Sequence, residues 1–153
     1  MKVRFKKLHP EAKTPTYSHA DDAAMDLTAT SFEQDEFGNY SYGIGLALEI
    51  PENHVGLIFP RSSNHKKSLV MSNSVAVIDP GYRGEIVVKF KHYTQKMYHI
   101  TNDNSYEISN SPYQVGDRIA QLIIVPRPHI LFEESEVLSE SIRGENGYGS
   151  TGK

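Results

Sequence analysis

The chain has 153 residues, enough for one domain with a substantial core and too short for two ordinary ones. Lys and Arg total 16 against 19 Asp and Glu, so a net charge of -3 carries no basic footprint and excludes polymeric DNA or RNA as the expected partner. There is no Cys, which removes disulfides, thiol nucleophiles and Cys-ligated zinc and suits a reducing compartment.

In chain order, Lys2, Arg4, Lys6 and Lys7 are followed by no apolar run, so no signal peptide is expected. No stretch approaches the roughly 20 apolar residues of a membrane helix, so the expected location is cytoplasmic, with no membrane partner. Segments rich in β-branched and aromatic residues recur between Pro and Gly punctuation: Val3–Phe5, Gly45–Ile50, Val55–Phe59, Val75–Ile78, Glu85–Phe90 and Ile119–Val125. Their spacing predicts an all-β sandwich or barrel. One short helix is expected over Ser63–Leu69, with Ser62 or Ser63 as its N-cap. The polar, Tyr/Asn/Ser-rich stretch from His92 to Tyr113 reads as a long hairpin or loop. Ser141–Lys153 holds four Gly and no core candidate beyond Ile142, so a β domain over 1–140 is expected to end in a mobile arm over 141–153.

Familiar catalytic motifs are absent: there is no Walker A loop and no His-Glu-x-x-His, and the seven His are scattered without metal-ligand spacing. Gly147-Tyr148-Gly149-Ser150-Thr151-Gly152 matches the dinucleotide fingerprint in letters, but one residue follows it, leaving no room for the helix that motif needs. What remains is a series of polar islands. They are Ala23-Ala24-Met25-Asp26-Leu27-Thr28-Ala29, Pro60-Arg61-Ser62-Ser63, Val77-Ile78-Asp79-Pro80-Gly81-Tyr82-Arg83-Gly84, Gly116-Asp117-Arg118-Ile119-Ala120-Gln121-Leu122 and Arg143-Gly144-Glu145-Asn146 running into the Gly-rich end. Arg and Ser donate to phosphate oxygens, Arg through a bidentate fork, and a Gly-rich arm can wrap backbone amides round an anion. Singly, each island also has an ordinary structural reading; Asp79-Pro80-Gly81, for instance, is a β-turn by composition.

Together, in order and over nearly the whole chain from Ala23 to Gly152, the islands resemble the five motifs of the trimeric dUTPase family. The likeness is to Ala-x-x-Asp-Leu-x-Ala, Pro-Arg-Ser, Val-Ile-Asp-x-x-Tyr-Arg-Gly, Gly-Asp-Arg-Ile-Ala-Gln-Leu and Arg-Gly-x-x-Gly-Phe-Gly-Ser-Thr-Gly. The resemblance implies a dUTPase-like jelly roll (β-clip) assembled as a homotrimer, with each active site built from several subunits and closed by the C-terminal arm. It implies hydrolysis of dUTP to dUMP and pyrophosphate with Mg2+, limiting uracil in DNA and supplying dUMP for thymidylate synthesis.

By the same resemblance, Asp79 is the general base that deprotonates a water for attack on the α-phosphorus. Tyr82 packs beneath the deoxyribose and rejects a 2′-hydroxyl. Asn73 and the backbone from Val75 through Val77 to Ile78 read uracil, with Ala76 adding a methyl near the base where the family usually has Gly. Asp26 meets the metal through water, the ion itself riding on the phosphates. Arg61, Ser62, Ser63 and Gln121 hold the phosphate chain. On the arm, Arg143, Gly149, Ser150 and Thr151 grip the γ-phosphate, and Tyr148 stands in for the Phe that stacks on uracil. Two rivals are weighed. Ile78–Tyr82 with Arg61-Ser62-Ser63 echoes the related dCTP deaminases, but Val87-Val88-Lys89 stands where those carry a catalytic Glu. The 92–113 segment looks longer than the family's usual connection, and a regulatory protein partner docking there is the second.

Overall fold

The computed structural model describes residues 1–92 and 113–147. Ten strands and one short 3-10 helix form among them: β1 Arg4–Lys7, β2 Met25–Thr28, β3 Glu33–Gln34, β4 Tyr40–Gly43, β5 Leu46–Glu49, β6 His54–Pro60, the helix Ser62–Lys67, β7 Leu69–Met71, β8 Ala76–Ile78, β9 Val87–His92 and β10 Arg118–Pro126. Two four-stranded sheets, ordered β2-β10-β6-β8 and β3-β4-β9-β7, enclose the core, and a separate ribbon pairs β1 with β5. All pairings are antiparallel. The all-β, jelly-roll-like expectation holds.

Alternation explains which side chains go inside. In the first sheet Leu27, Ile58, Ala120 and Leu122 are at most 1% exposed, and from the second Tyr42, Val88 and Phe90 meet them. Antiparallel strands with one face on the core and one in water read apolar-in, polar-out, and β9 does so residue by residue: Val88 and Phe90 inside, Val87, Lys89 and Lys91 outside. Tyr42, Phe90 and Tyr113 stack edge-on or tilted at centroid separations of 5.5–6.2 Å, and the Tyr42 hydroxyl donates to the Tyr113 carbonyl at 3.0 Å. Burial holds both phenols un-ionised well above their ordinary range, so they stay hydrogen-bond donors.

Several expectations need correction. The helix starts at Ser62, is of 3-10 type, and stops at Lys67; Arg61, in extended conformation, occupies the N-cap position with no side-chain cap hydrogen bond, so neither Ser62 nor Ser63 caps it. It cannot reach Leu69 because Ser68 turns left-handed (φ 51°) and Leu69, 3% exposed, begins β7 beside β9. The strand expected over Glu85–Phe90 is displaced to Val87–His92, and that over Val3–Phe5 to Arg4–Lys7. β2, β3, β4 and β7 lacked a sequence signal: β2–β4 are two to four residues long with Asp, Glu, Ser or Gly among them, the apolar β7 is only three residues long, and pairing rather than propensity makes them strands. The Ala76 methyl, expected near a base, lies in the core cluster at 7% exposure, while Val77 points outward at 61%.

After Pro126 no further strand forms among the described residues, and every one of them to Gly147 is exposed, Ile142 included. A single backbone bond, Arg127 N to Asn53 O at 2.7 Å, ties the start of this tail to the body. The 92–113 segment, apart from its ends His92 and Tyr113, lies outside the described residues, as do Tyr148, Gly149, Ser150 and Thr151.

Candidate functional site

Three of the polar islands meet on the outer face of the first sheet. Register fixes this: Asp26 on β2 sits opposite Gln121 on β10, and Gln121 opposite Phe59 on β6, so one pleat carries Asp26, Gln121 and the residues just before Arg61. A register shift between Arg118 and Ala120 adds one further device. Ala120 pairs with Leu27 but Arg118 with Thr28, leaving Ile119 as an extra residue. Without that bulge Arg118 would share the core face of Ala120 and Leu122; with it, the guanidinium turns onto the face that carries Asp26.

The carboxylate of Asp26 is the hub. Arg61 Nε donates to Oδ1 at 2.7 Å, Arg118 Nη1 donates to Oδ2 at 2.7 Å, and the Ser18 hydroxyl donates to Oδ2 at 3.0 Å. Arg118 Nη1 also reaches Ser18 Oγ at 2.9 Å, closing a triangle, and Arg61 Nη1 reaches the Arg118 carbonyl and Ser63 Oγ, each at 3.3 Å. Burial is the largest influence on Asp26 and opposes its ionisation. Ser18, Arg61 and Arg118 together outweigh it and hold the carboxyl below the ordinary Asp range. Asp26, Arg61, Ser62, Phe59, Gln121 and Asp22 line a cleft of about 540 Å³. Gln121 spends one amide hydrogen on the Pro60 carbonyl at 2.9 Å, which fixes its head group at the cleft wall. Of these residues Ser18, Asp22 and Arg118 were not singled out from sequence as site groups: Ser18 belongs to no motif, and the role of Arg118 depends on the bulge.

The other expected residues stand elsewhere. Asn73 sits in the turn before β8, where Val75 N bonds the Asn73 carbonyl at 2.6 Å and Ser74 is left-handed (φ 58°). Val77 and Ile78 form β8, with Ile78 opposite Gly56. Asp79 and Tyr82 follow in an exposed turn closed by Tyr82 N to Asp79 O at 3.1 Å. Since β8 runs against β6, Asp79 lies level with Val55, six residues before Arg61, or about 20 Å along the strand at ~3.3 Å per residue. One chain therefore does not bring Asp79 to the Asp26–Arg61 cleft. Arg143 lies in the tail, where its Nε donates to the Asn146 carbonyl at 3.0 Å.

The family model described as dUTPase matches residues 10–152. Among curated relatives, the deoxyuridine 5′-triphosphate nucleotidohydrolase of Clostridium tetani is 35% identical over 99% of this chain and 97% of its own length, and that of Corynebacterium diphtheriae 38% identical over 98% and 92%. Among solved structures, the dUTPase of Staphylococcus bacteriophage 80alpha with dUpNHpp superposes with a TM-score of 0.77 at 30% identity, covering 99% of each chain.

Proposed function

The chain belongs to the dUTPase family, and from that premise we propose that it hydrolyses dUTP to dUMP and pyrophosphate at a site shared between copies of itself, in a homotrimer. The observation that supports sharing is the separation just described: the cationic and hydroxyl groups suited to phosphates gather round Asp26, while Asp79 and Tyr82 stand at the far end of β6. A second copy whose Asp79 turn abuts this cleft supplies what one chain lacks. Several exposed apolar side chains on the tail give such a copy a reason to stay.

In this reading Asp79 accepts the proton of the attacking water, its exposed turn being free to meet the cleft of a neighbouring copy. Arg61, Ser62 and Gln121 hold the phosphates and stabilise charge on the departing pyrophosphate. Asp26 fixes the fork of Arg61 from behind, and Ser63 steadies its Nη1. Asn73, Val77 and Ile78 stand on the base-reading edge, and Tyr82 lies under the sugar. Arg143 and the following Tyr148, Gly149, Ser150 and Thr151 close over the nucleotide. Among the described residues no group of three or more His, Asp or Glu gathers to cage a metal. The residue that fits Mg2+ is Asp26, whose ionised carboxylate lines the cleft and would hold the ion through its water, and the ion would supply positive charge against the phosphates. No helix among the described residues is long and apolar enough to cross a membrane; with a Cys-free sequence, this supports a cytoplasmic location.

The test pairs a substrate panel with complementation. With magnesium, purified protein is expected to convert dUTP to dUMP and leave dCTP, UTP and dTTP intact. Asp79→Asn and Arg61→Ala should each be inactive alone. Refolded together in equal amounts they should regain about a quarter of wild-type activity, because about one site in four then joins an intact cleft to an intact Asp79. Activity that is not regained on mixing would confine the site to one chain. Turnover of none of the nucleotides would favour a binding role for the chain.

A further inference from the structure

Tyr82 is held in an unusual way for a residue 44% exposed. Its hydroxyl donates to the carbonyl of Glu85 at 2.9 Å, folding the ring back over the chain three residues ahead. That carbonyl is itself fixed. Glu85 Oε1 accepts from Gly45 N at 2.7 Å, and the next residue, Ile86, exchanges backbone bonds with Leu46 and Ile44 at 2.9 and 3.0 Å. The phenol end of the ring then occupies the volume where a side chain at residue 84 would stand. A Cβ on Gly84 would lie 2.6 Å from Tyr82 Cζ, 2.9 Å from Cε2, and closer still to the hydroxyl.

The glycine is not there for its backbone. Gly84 does not adopt the left-handed φ that L side chains avoid, unlike Gly45 at +68° in the same region. Alanine suits the backbone at 84, and the three atoms nearest its methyl all belong to the Tyr82 phenol. That ring has open solvent to move into. Adding one methyl thus leaves the fold and evicts the ring.

We propose that Gly84 is a specificity-determining position: by leaving its side-chain volume to the phenol of Tyr82, it sets the tilt of that ring and, through it, the exclusion of a 2′-hydroxyl from the sugar site. This rests on the reading of Tyr82 as the floor of the deoxyribose. Gly84 is a positioning residue, since the ring and not the glycine touches substrate, and its signature is a change in preference between two substrates rather than a loss of fold.

The experiment measures kcat/KM for dUTP and for UTP, with magnesium, on the full chain, its Gly84→Ala variant and its Tyr82→Phe variant, together with each Tm. Gly84→Ala should lower the dUTP-over-UTP preference by about tenfold or more, the scale on which a methyl in a fitted pocket acts, with Tm little changed. Tyr82→Phe keeps the ring and the space but loses the tether to Glu85, and should move the preference the same way by less. If Gly84→Ala slows both substrates equally, with the preference intact, the proposal is overturned. Should that variant fail to fold, an unchanged preference in Tyr82→Phe overturns it instead. A wild-type protein that does not distinguish dUTP from UTP would remove the underlying role of Tyr82 first, an outcome separable from the other two.

Discussion

Asp26 is 16% exposed at its side chain, between guanidiniums exposed at 25% and 52%. Its partners were partly readable in advance: the Asp26 and Arg61 motifs announce themselves, but the hydroxyl of Ser18 depends on the chain crossing back to bridge Thr16 to Asp26, which no local pattern specifies. Because the folded carboxyl titrates below its ordinary value, its ionised contacts stabilise the protein at every pH above that ordinary value. The contribution fades as pH falls through the lower folded value. Ser18→Ala removes one of the groups that lower it, so the folded value moves back toward the ordinary one, and the loss of stability on acidification should be smaller and complete at a higher pH. At neutral pH the cost should be about 1.5 kcal/mol, the low end of the net worth of a hydrogen bond to a charged group. Urea midpoints followed from pH 7 down to about pH 2 decide this; identical acid profiles for variant and parent would show that Ser18 does not act on Asp26.

Among the elements, the 3-10 helix Ser62–Lys67 carries the hydroxyls expected at the phosphates, yet it is short and its own geometry gives it little stability. What secures it is Asn64, 8% exposed, whose amide donates to the Leu69 carbonyl at 2.6 Å and accepts from the Tyr113 hydroxyl at 3.2 Å. Helix, β7 and the return from residue 113 are thereby joined at one side chain. Asn64→Ala removes both of these buried hydrogen bonds, which should cost about 2 kcal/mol, lowering Tm by about 4–8 °C in a chain of this size. A Tm within 1 °C or so of wild type would mean the helix is held by its ends alone. From sequence, this element was legible as a short helical interruption near 63 but not as 3-10, because the left-handed Ser68 and the pull of Leu69 into β7 are decided by tertiary pairing. Longer strands such as β6 and β10 were legible because continuous apolar runs admit few alternatives. β2–β4 were not, since they are two to four residues long and half their residues are polar.

At the scale of the whole molecule, the described tail is the feature a single copy cannot justify. Ile130, Leu131, Phe132, Val137, Leu138 and Ile142 are between 63% and 110% exposed, whereas among the described residues before the tail only Met1, Phe37 and Val77 of the large apolar side chains exceed 60%. The sequence suggested an arm over 141–153; among the described residues, the last strand ends at Pro126. Burying Leu131 and Phe132 against another copy would gain about 2 kcal/mol each or somewhat more, enough together to shift association by about a thousandfold. Leu131→Asp with Phe132→Asp should therefore lower the mass seen by sedimentation equilibrium from trimer toward monomer, and activity should fall with it, since Asp79 of one copy would no longer reach the Asp26 cleft of another. The body of each chain should keep its far-ultraviolet dichroism, because neither residue touches the core. Retention of the trimer with both aspartates in place would mean that the body surfaces alone hold the copies together, and the tail would then be left to the nucleotide rather than to the assembly.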